Sequence, residues 1–186
     1  MQTNPDLLGR PVLWIVVLGL FSLLPFAFMA LTAFVKISTV LQIVRGAIGA
    51  QNVPSNTVIM ALAAALTCVA MAPLATRIGE KALPVLAQAE RTEAVVLIRD
   101  GVAAVGEPLR EFLSQNASPR DKKRFFDLAR RARPAAERDR VSPTDLVVVI
   151  PAFLTSELLR AFSLGFALYI PFLIIDLVVS NVLLAL

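Results

Sequence analysis

Apolar residues run through this chain in blocks much longer than a globular core requires. From Pro11 to Val35 there are 25 residues without a charge, PVLWIVVLGLFSLLPFAFMALTAFV. From Gly46 to Thr76 there is again no charge, and from Ala161 to Leu186 only Asp176 interrupts. About 20 apolar residues of helix cross a bilayer core. The spacing of the blocks leaves room for about four membrane-type helices. Between them lies a polar stretch, residues 77–145, with helical signals of its own. Ser118-Pro119-Arg120-Asp121 places a capping serine, a proline at the first helical position and an acid at the third. The helix RDKKRFFDLARRAR should follow and stop before Pro134, with Phe125, Leu128, Ala129 and Ala132 on one face. Ser142-Pro143-Thr144-Asp145 is a second start of the same kind, opening the third long helix. Gly79–Ala89 and Gly106–Leu113 are expected as short helices limited by Pro84 and Pro108.

The pattern therefore predicts an all-α fold of integral-membrane-type helical hairpins with a small helical polar domain inserted. Residues 1–76 form the first apolar hairpin, 77–145 the polar domain and 146–186 a second apolar hairpin. Composition sharpens this. Charged residues are 17% of the chain and apolar residues 57%, against about 25% charged in a soluble domain, and mean hydropathy is +0.73. The polar stretch holds 25 of the 32 charges. The N-terminus has no basic region before its apolar run and no cleavage-site pattern after it, so the first helix is expected to be retained. Lys36 and Arg45, without an acid between them, are expected in a short loop that the positive-inside rule puts in the cytoplasm. The polar domain then lies on the far side.

Chemistry-bearing residues are few. The chain has no histidine, the commonest metal ligand and acid–base group. It has one cysteine, Cys68, expected as a small buried apolar residue. No G-x-S-x-G, H-E-x-x-H or phosphate-loop pattern occurs. No catalytic residue, metal or cofactor is expected. The cluster Arg120–Arg140 has nine bases against four acids. It is taken as a solvated helix face with interleaved i, i+3 and i+4 partners, ahead of contact with anionic lipid. A nucleic-acid patch would need aromatic residues for stacking, and Phe125 and Phe126 are expected in the core. Pro25, Pro73, Pro151 and Pro171 interrupt or flank the apolar helices. Lys36, Glu157, Arg160 and Asp176 lie in or beside apolar sequence, where ionisable groups face a bundle interior, a partner or water. End-of-helix snorkelling is the plainer account of Arg45 and an equal one for Lys36. Glu157 and Arg160, three apart, can pair on one face. Asp176, between IPFLII and LVV, has no such account.

Two blocks carry a resemblance. Phe34-Val35-Lys36-Ile37, Val40-Leu41, Arg45-Gly46-Ala47-Ile48-Gly49, Gln51 and Val53-Pro54-Ser55-Asn56 form the first. The second runs from Ile150 to Leu186, IPAFLTSELLRAFSLGFALYIPFLIIDLVVSNVLLAL. Together they resemble the FliP/SctR family, core components of the type III secretion export gate, and the injectisome branch more than the flagellar one. The resemblance implies a bacterial inner-membrane protein, in which the far side reached by the positive-inside argument is the periplasm. It implies a homo-oligomer that assembles with two smaller gate membrane proteins, and beside a larger export-apparatus membrane protein, around a pore for unfolded secreted proteins. Its helices would form bent hairpins raised toward the periplasm. Lipid is a further partner and nucleic acid is not. Lys36, Arg45, Gln51, Pro54, Asn56, Glu157, Arg160, Pro171, Asp176 and Asn181 are the assembly or pore candidates. Family members continue past VLLAL with a methionine-rich sealing segment and another apolar helix, so a shortened form whose second hairpin lacks its returning arm is expected. Two other function classes stay open: a solitary channel or transporter, and a membrane enzyme using Glu157 and Asp176. The enzyme would need its two carboxylates brought together, and G-x-G-D is absent.

Overall fold

What stops the first apolar helix is a threonine. In the computed structural model, which describes residues 6–49, 53–88 and 94–185, α1 spans Asp6–Leu31 and α2 spans Phe34–Ala47. Thr32 Oγ1 donates to the Phe28 carbonyl at 2.5 Å and accepts the Phe34 N–H at 3.3 Å. One side chain thus closes α1 and opens α2 across a bend of 64°. Phe28 and Phe34 line the inside of the bend, ring centroids 5.5 Å apart. The stretch bearing Lys36 and Arg45 is therefore helix α2 and not a short loop.

α3 spans Asn56–Ala87, α4 Ala94–Asn116, α5 Pro119–Arg131 and α6 Leu146–Leu184, with a 3₁₀ segment at Ala135–Arg140. No strand occurs among the described residues, so the chain is all-α. α3 and α6 are each long and apolar enough to cross a membrane, and the bent α1–α2 pair passes the same test as one broken span.

α5 stops at Arg131, before Pro134, as expected, but interior prolines do not end the long helices. α3 runs through Pro73 and Pro84, α4 through Pro108, and α6 through Pro151 and Pro171. Gly79 thus lies inside α3, and Gly106–Leu113 inside the longer α4. Each interior proline forfeits one backbone bond, at a cost of about 3 kcal/mol. Breaking the helix instead would strand several more backbone groups in apolar surroundings, which costs more. The second start moves for a local reason. The Asp145 carboxylate accepts the Ser142 N–H at 2.9 Å, and the Asp145 N–H bonds the Ser142 carbonyl at 3.1 Å. That turn uses up Ser142, so Asp145 becomes the residue before α6.

α3 and α4 are antiparallel, tied by Lys81–Glu107 at 2.6 Å and Arg77–Glu111 at 3.7 Å. α2 and α6 run parallel, because Lys36 meets Glu157 and Ile43 meets Gly165. The core sits where α4 ends and α6 begins. Leu113, Ala117, Val149, Ala152 and Phe153 are buried there, with Leu31, Phe112 and Phe125 packed against them. Phe112 and Phe153 rings lie 5.7 Å apart. The polar stretch thus shares its core with the last apolar helix. Only part of α5's expected face is buried: Phe125 packs on the core, Phe126 lies half-buried with the Arg130 guanidinium 5.7 Å over its ring, and Leu128 is 58% exposed. Cys68 is also exposed rather than buried. Its neighbour Thr67 takes the buried face of α3, its hydroxyl donating to the Ala63 carbonyl at 2.6 Å, which turns Cys68 outward.

Candidate functional site

α6 is buried along one stripe at four-residue spacing, Phe153, Glu157, Ala161 and Gly165, the spacing that keeps side chains on one helix face. In a stripe of small and apolar residues Glu157 needs an explanation. Its side chain is 2% exposed, and a carboxylate so buried must be paired. It is paired twice. Lys36 Nζ of α2 lies 2.8 Å from one oxygen, and Arg160, one turn along α6, lies 2.9 Å from the other. The side chains of Lys36 and Arg160 are 31% and 45% exposed, so the cations keep some water while the anion keeps none.

Arg160 does a second job. The same nitrogen donates to the Asn116 carbonyl at 2.7 Å. Asn116 is the last residue of α4, where the helix leaves carbonyls unpaired and a cation is favoured. Lys122 of α5 donates to the Ser114 carbonyl at 3.0 Å in the same turn. Two cations thus complete the end of α4 and join it to α5 and α6.

Next to Glu157, Ser156 makes the other half of the junction. Its hydroxyl lies 2.7 Å from the Asp121 carboxylate and 2.7 Å from the Ala152 carbonyl, and it accepts the Ser118 N–H at 2.8 Å. Ser118 Oγ donates to Asp121 at 2.9 Å and accepts the Asp121 N–H at 3.1 Å, so the expected N-cap of α5 is formed. The Ser156 and then the Ser118 hydroxyl hold the Asp121 carboxyl below its ordinary value; Arg120 and Arg124 add a smaller pull in the same direction. The cap of a polar helix is therefore also its anchor to the long apolar one. Ser156 and the Asn116 carbonyl were not among the sequence candidates. A serine beside Glu157 in an otherwise apolar run was the available signal.

The remaining candidates lie elsewhere. Arg45, in the last turn of α2, donates to the Pro54 carbonyl at 3.3 Å rather than reaching for solvent alone. Asn56 opens α3, one residue after its cap Ser55. Gln51 lies outside the described residues. Pro171, Asp176 and Asn181 are on the exposed far half of α6. Lys36, Glu157 and Arg160 are thus brought together, Arg45 and Pro54 form a second small group, and Asp176 stands apart. Nineteen residues of helix separate Glu157 from Asp176, about 28 Å at 1.5 Å per residue. Two-carboxylate chemistry cannot be built from them within one chain.

A model of the FliP family matches residues 17–186. The chain is 40% identical over 173 residues to the harpin secretion protein HrpW of Pseudomonas syringae pv. syringae, covering 91% of this chain and 80% of that one. It is 38% identical over 174 residues to the Yop proteins translocation protein R of Yersinia pestis, covering 92% and 77%. To the flagellar biosynthetic protein FliP of Bacillus subtilis (strain 168) it is 33% identical over 184 residues, covering 99% and 79%.

Proposed function

The chain belongs to the FliP family, and from that premise we propose that it is a core subunit of the type III secretion export gate, of the injectisome kind. Copies of it, with two smaller gate membrane proteins and beside a larger export-apparatus membrane protein, surround a path for unfolded secreted proteins. The subunit sits in the bacterial inner membrane with residues 77–145 on the periplasmic side. Arg45, beside the turn into α3, supports that orientation at insertion.

The observation that carries the reading is the far half of α6. Every described residue from Phe166 to Ala185 is exposed, among them Phe166 at 66%, Ile175 at 57% and Leu183 at 67%. That is about 28 Å of apolar helix with little cover from its own chain. Lipid alone would leave Asp176 in hydrocarbon, at about 2.5–3.5 kcal/mol for a helix centre. Protein cover from other subunits removes that cost. The apolar groove between α1 and α3, about 450 Å³ and lined by Leu24, Phe28, Cys68 and Met71, is a second face of the same kind.

The test is native mass spectrometry of the chain co-expressed with the smaller gate proteins in mild detergent. A defined assembly holding several copies is expected. A stable, dispersed monomer under these conditions would refute the reading.

A further inference from the structure

Charges on α2 and α6 nearly balance within the chain, and the two left over are of opposite sign. On α2 and α6 the described ionisable side chains are Lys36, Arg45, Glu157, Arg160, Tyr169 and Asp176. Glu157 takes both Lys36 and Arg160. Asp176 has no hydrogen bond or ion pair among the described residues, and Arg45 has only the neutral Pro54 carbonyl. A guanidinium carries five N–H donors in a planar fork suited to a carboxylate, so most of Arg45's capacity is uncommitted. Arg45 is half-buried and Asp176 is flanked by Ile175 and Leu177, both exposed.

The two cannot reach one another inside one chain. α2 and α6 are parallel and in register at Lys36–Glu157 and Ile43–Gly165. Arg45, two residues past Ile43, is level with residue 167 of α6. Asp176 lies nine residues further, about 14 Å along the axis, beyond the end of α2 at Ala47. Yet Asp176 is on the face of α6 that α2 uses. It follows Gly165 by eleven residues, three turns and about 20° of rotation. The surface α2 covers at Gly165 is continued, uncovered, to Asp176.

We propose that Arg45 of one copy pairs with Asp176 of a second copy, the α2 end of one chain seated on the far half of the next chain's α6. This deepens the gate-subunit reading and rests on it. Because the pair joins two different patches, the contact is head-to-tail. It propagates around a ring or a helix rather than closing a two-fold dimer. The axial offset between Arg45 and Asp176 favours a staircase of copies over a flat ring.

The test is a charge exchange read by assembly. Arg45→Asp and Asp176→Arg are made singly and together in the full chain, co-expressed with the smaller gate proteins, and the multi-copy complex is quantified by native mass spectrometry. Each single reversal is expected to remove most of the complex, and the double exchange to restore it. A second measurement mixes differently tagged Arg45→Cys and Asp176→Cys chains in a Cys68→Ala background with a short bismaleimide. A crosslink carrying both tags is expected. Normal assembly of either single reversal, or no recovery in the double exchange while wild type assembles, overturns the pairing and leaves the gate reading standing. Failure of wild type itself to form multi-copy complexes overturns the reading beneath it.

Discussion

Replacing Glu157 with alanine should damage this fold more than any other single charge removal. The carboxylate is 2% exposed and holds Lys36 at 2.8 Å and Arg160 at 2.9 Å. Removing one partner of a buried ion pair costs about 3–5 kcal/mol. Here the stranded cations are partly hydrated, at 31% and 45% exposure, and Arg160 retains the Asn116 carbonyl. That lowers the expected loss to about 2–4 kcal/mol. For a chain of this size the melting shift is on the order of 10 °C. Arg160→Ala removes only a half-exposed pair and one helix-end bond, so about 1–2 kcal/mol is expected. Lys36→Met with Glu157→Gln removes the Lys36 charge together with its partner, and should cost less than Glu157→Ala alone. The assay is thermal melting of the detergent-solubilised chain, followed by helical circular dichroism. A Glu157→Ala melt indistinguishable from wild type, or an Arg160→Ala loss larger than it, would show that Glu157 is not the centre of the junction.

Other consequences follow from single contacts. A Cβ at Gly165 would overlap the Ile43 side chain, reaching its Cγ2 at 3.0 Å and its Cβ at 3.1 Å. Gly165→Ala should therefore destabilise by about 1–3 kcal/mol, and adding Ile43→Ala should recover much of it; a Gly165→Ala melt equal to wild type would contradict the close approach. Asp121 has a lowered pKa from the Ser156 and Ser118 hydroxyls. Its contribution is full above the ordinary aspartate range and is lost as pH falls through the depressed value. Acid titration of stability should thus lose that component in Asp121→Asn and show a weaker one in Ser156→Ala; an unchanged profile in both would remove Asp121 from the anchor. For topology, Gln115 is exposed on α4. Gln115→Cys in a Cys68→Ala background should react with a membrane-impermeant thiol reagent once the outer membrane is permeable. Reaction only after the inner membrane is opened would reverse the orientation.

The helical class was legible because apolar runs of this length have few other solutions. Chain punctuation was less so. Proline marked where helices should stop, yet α3, α4 and α6 pass through it, since one lost bond is small beside the several backbone groups that a broken helix would strand. The true break came from Thr32, whose hydroxyl serves two helices at once; nothing local distinguishes it from Thr76, which bonds back to Ala72 inside a continuous helix. The i, i+3 spacing foresaw Glu157–Arg160, because helix geometry fixes it. Lys36–Glu157 joins residues 121 positions apart, and spacing carries no information at that range. Ser118 was legible as a cap, its bond to Ser156 was not, for the same reason.

α6 divides between two tasks at Gly165. Its first half is held by its own chain: the stripe Phe153, Glu157, Ala161 and Gly165 is buried, and Ser156 and Arg160 tie it to α4 and α5. Past Tyr169, which shares a groove with Ile43 of α2, every described residue of its second half is exposed. α2 ends at Ala47, shortly past Ile43, so its cover on α6 runs out within about one turn of Gly165. Substitutions before Gly165 therefore act on folding and should lower stability at any protein concentration. Those after it, Asp176 foremost, act on the fit between subunits and should show concentration dependence, as mass action requires. A variant at Asp176 that lowered the melting temperature of the isolated chain as much as Glu157→Ala does would contradict that division.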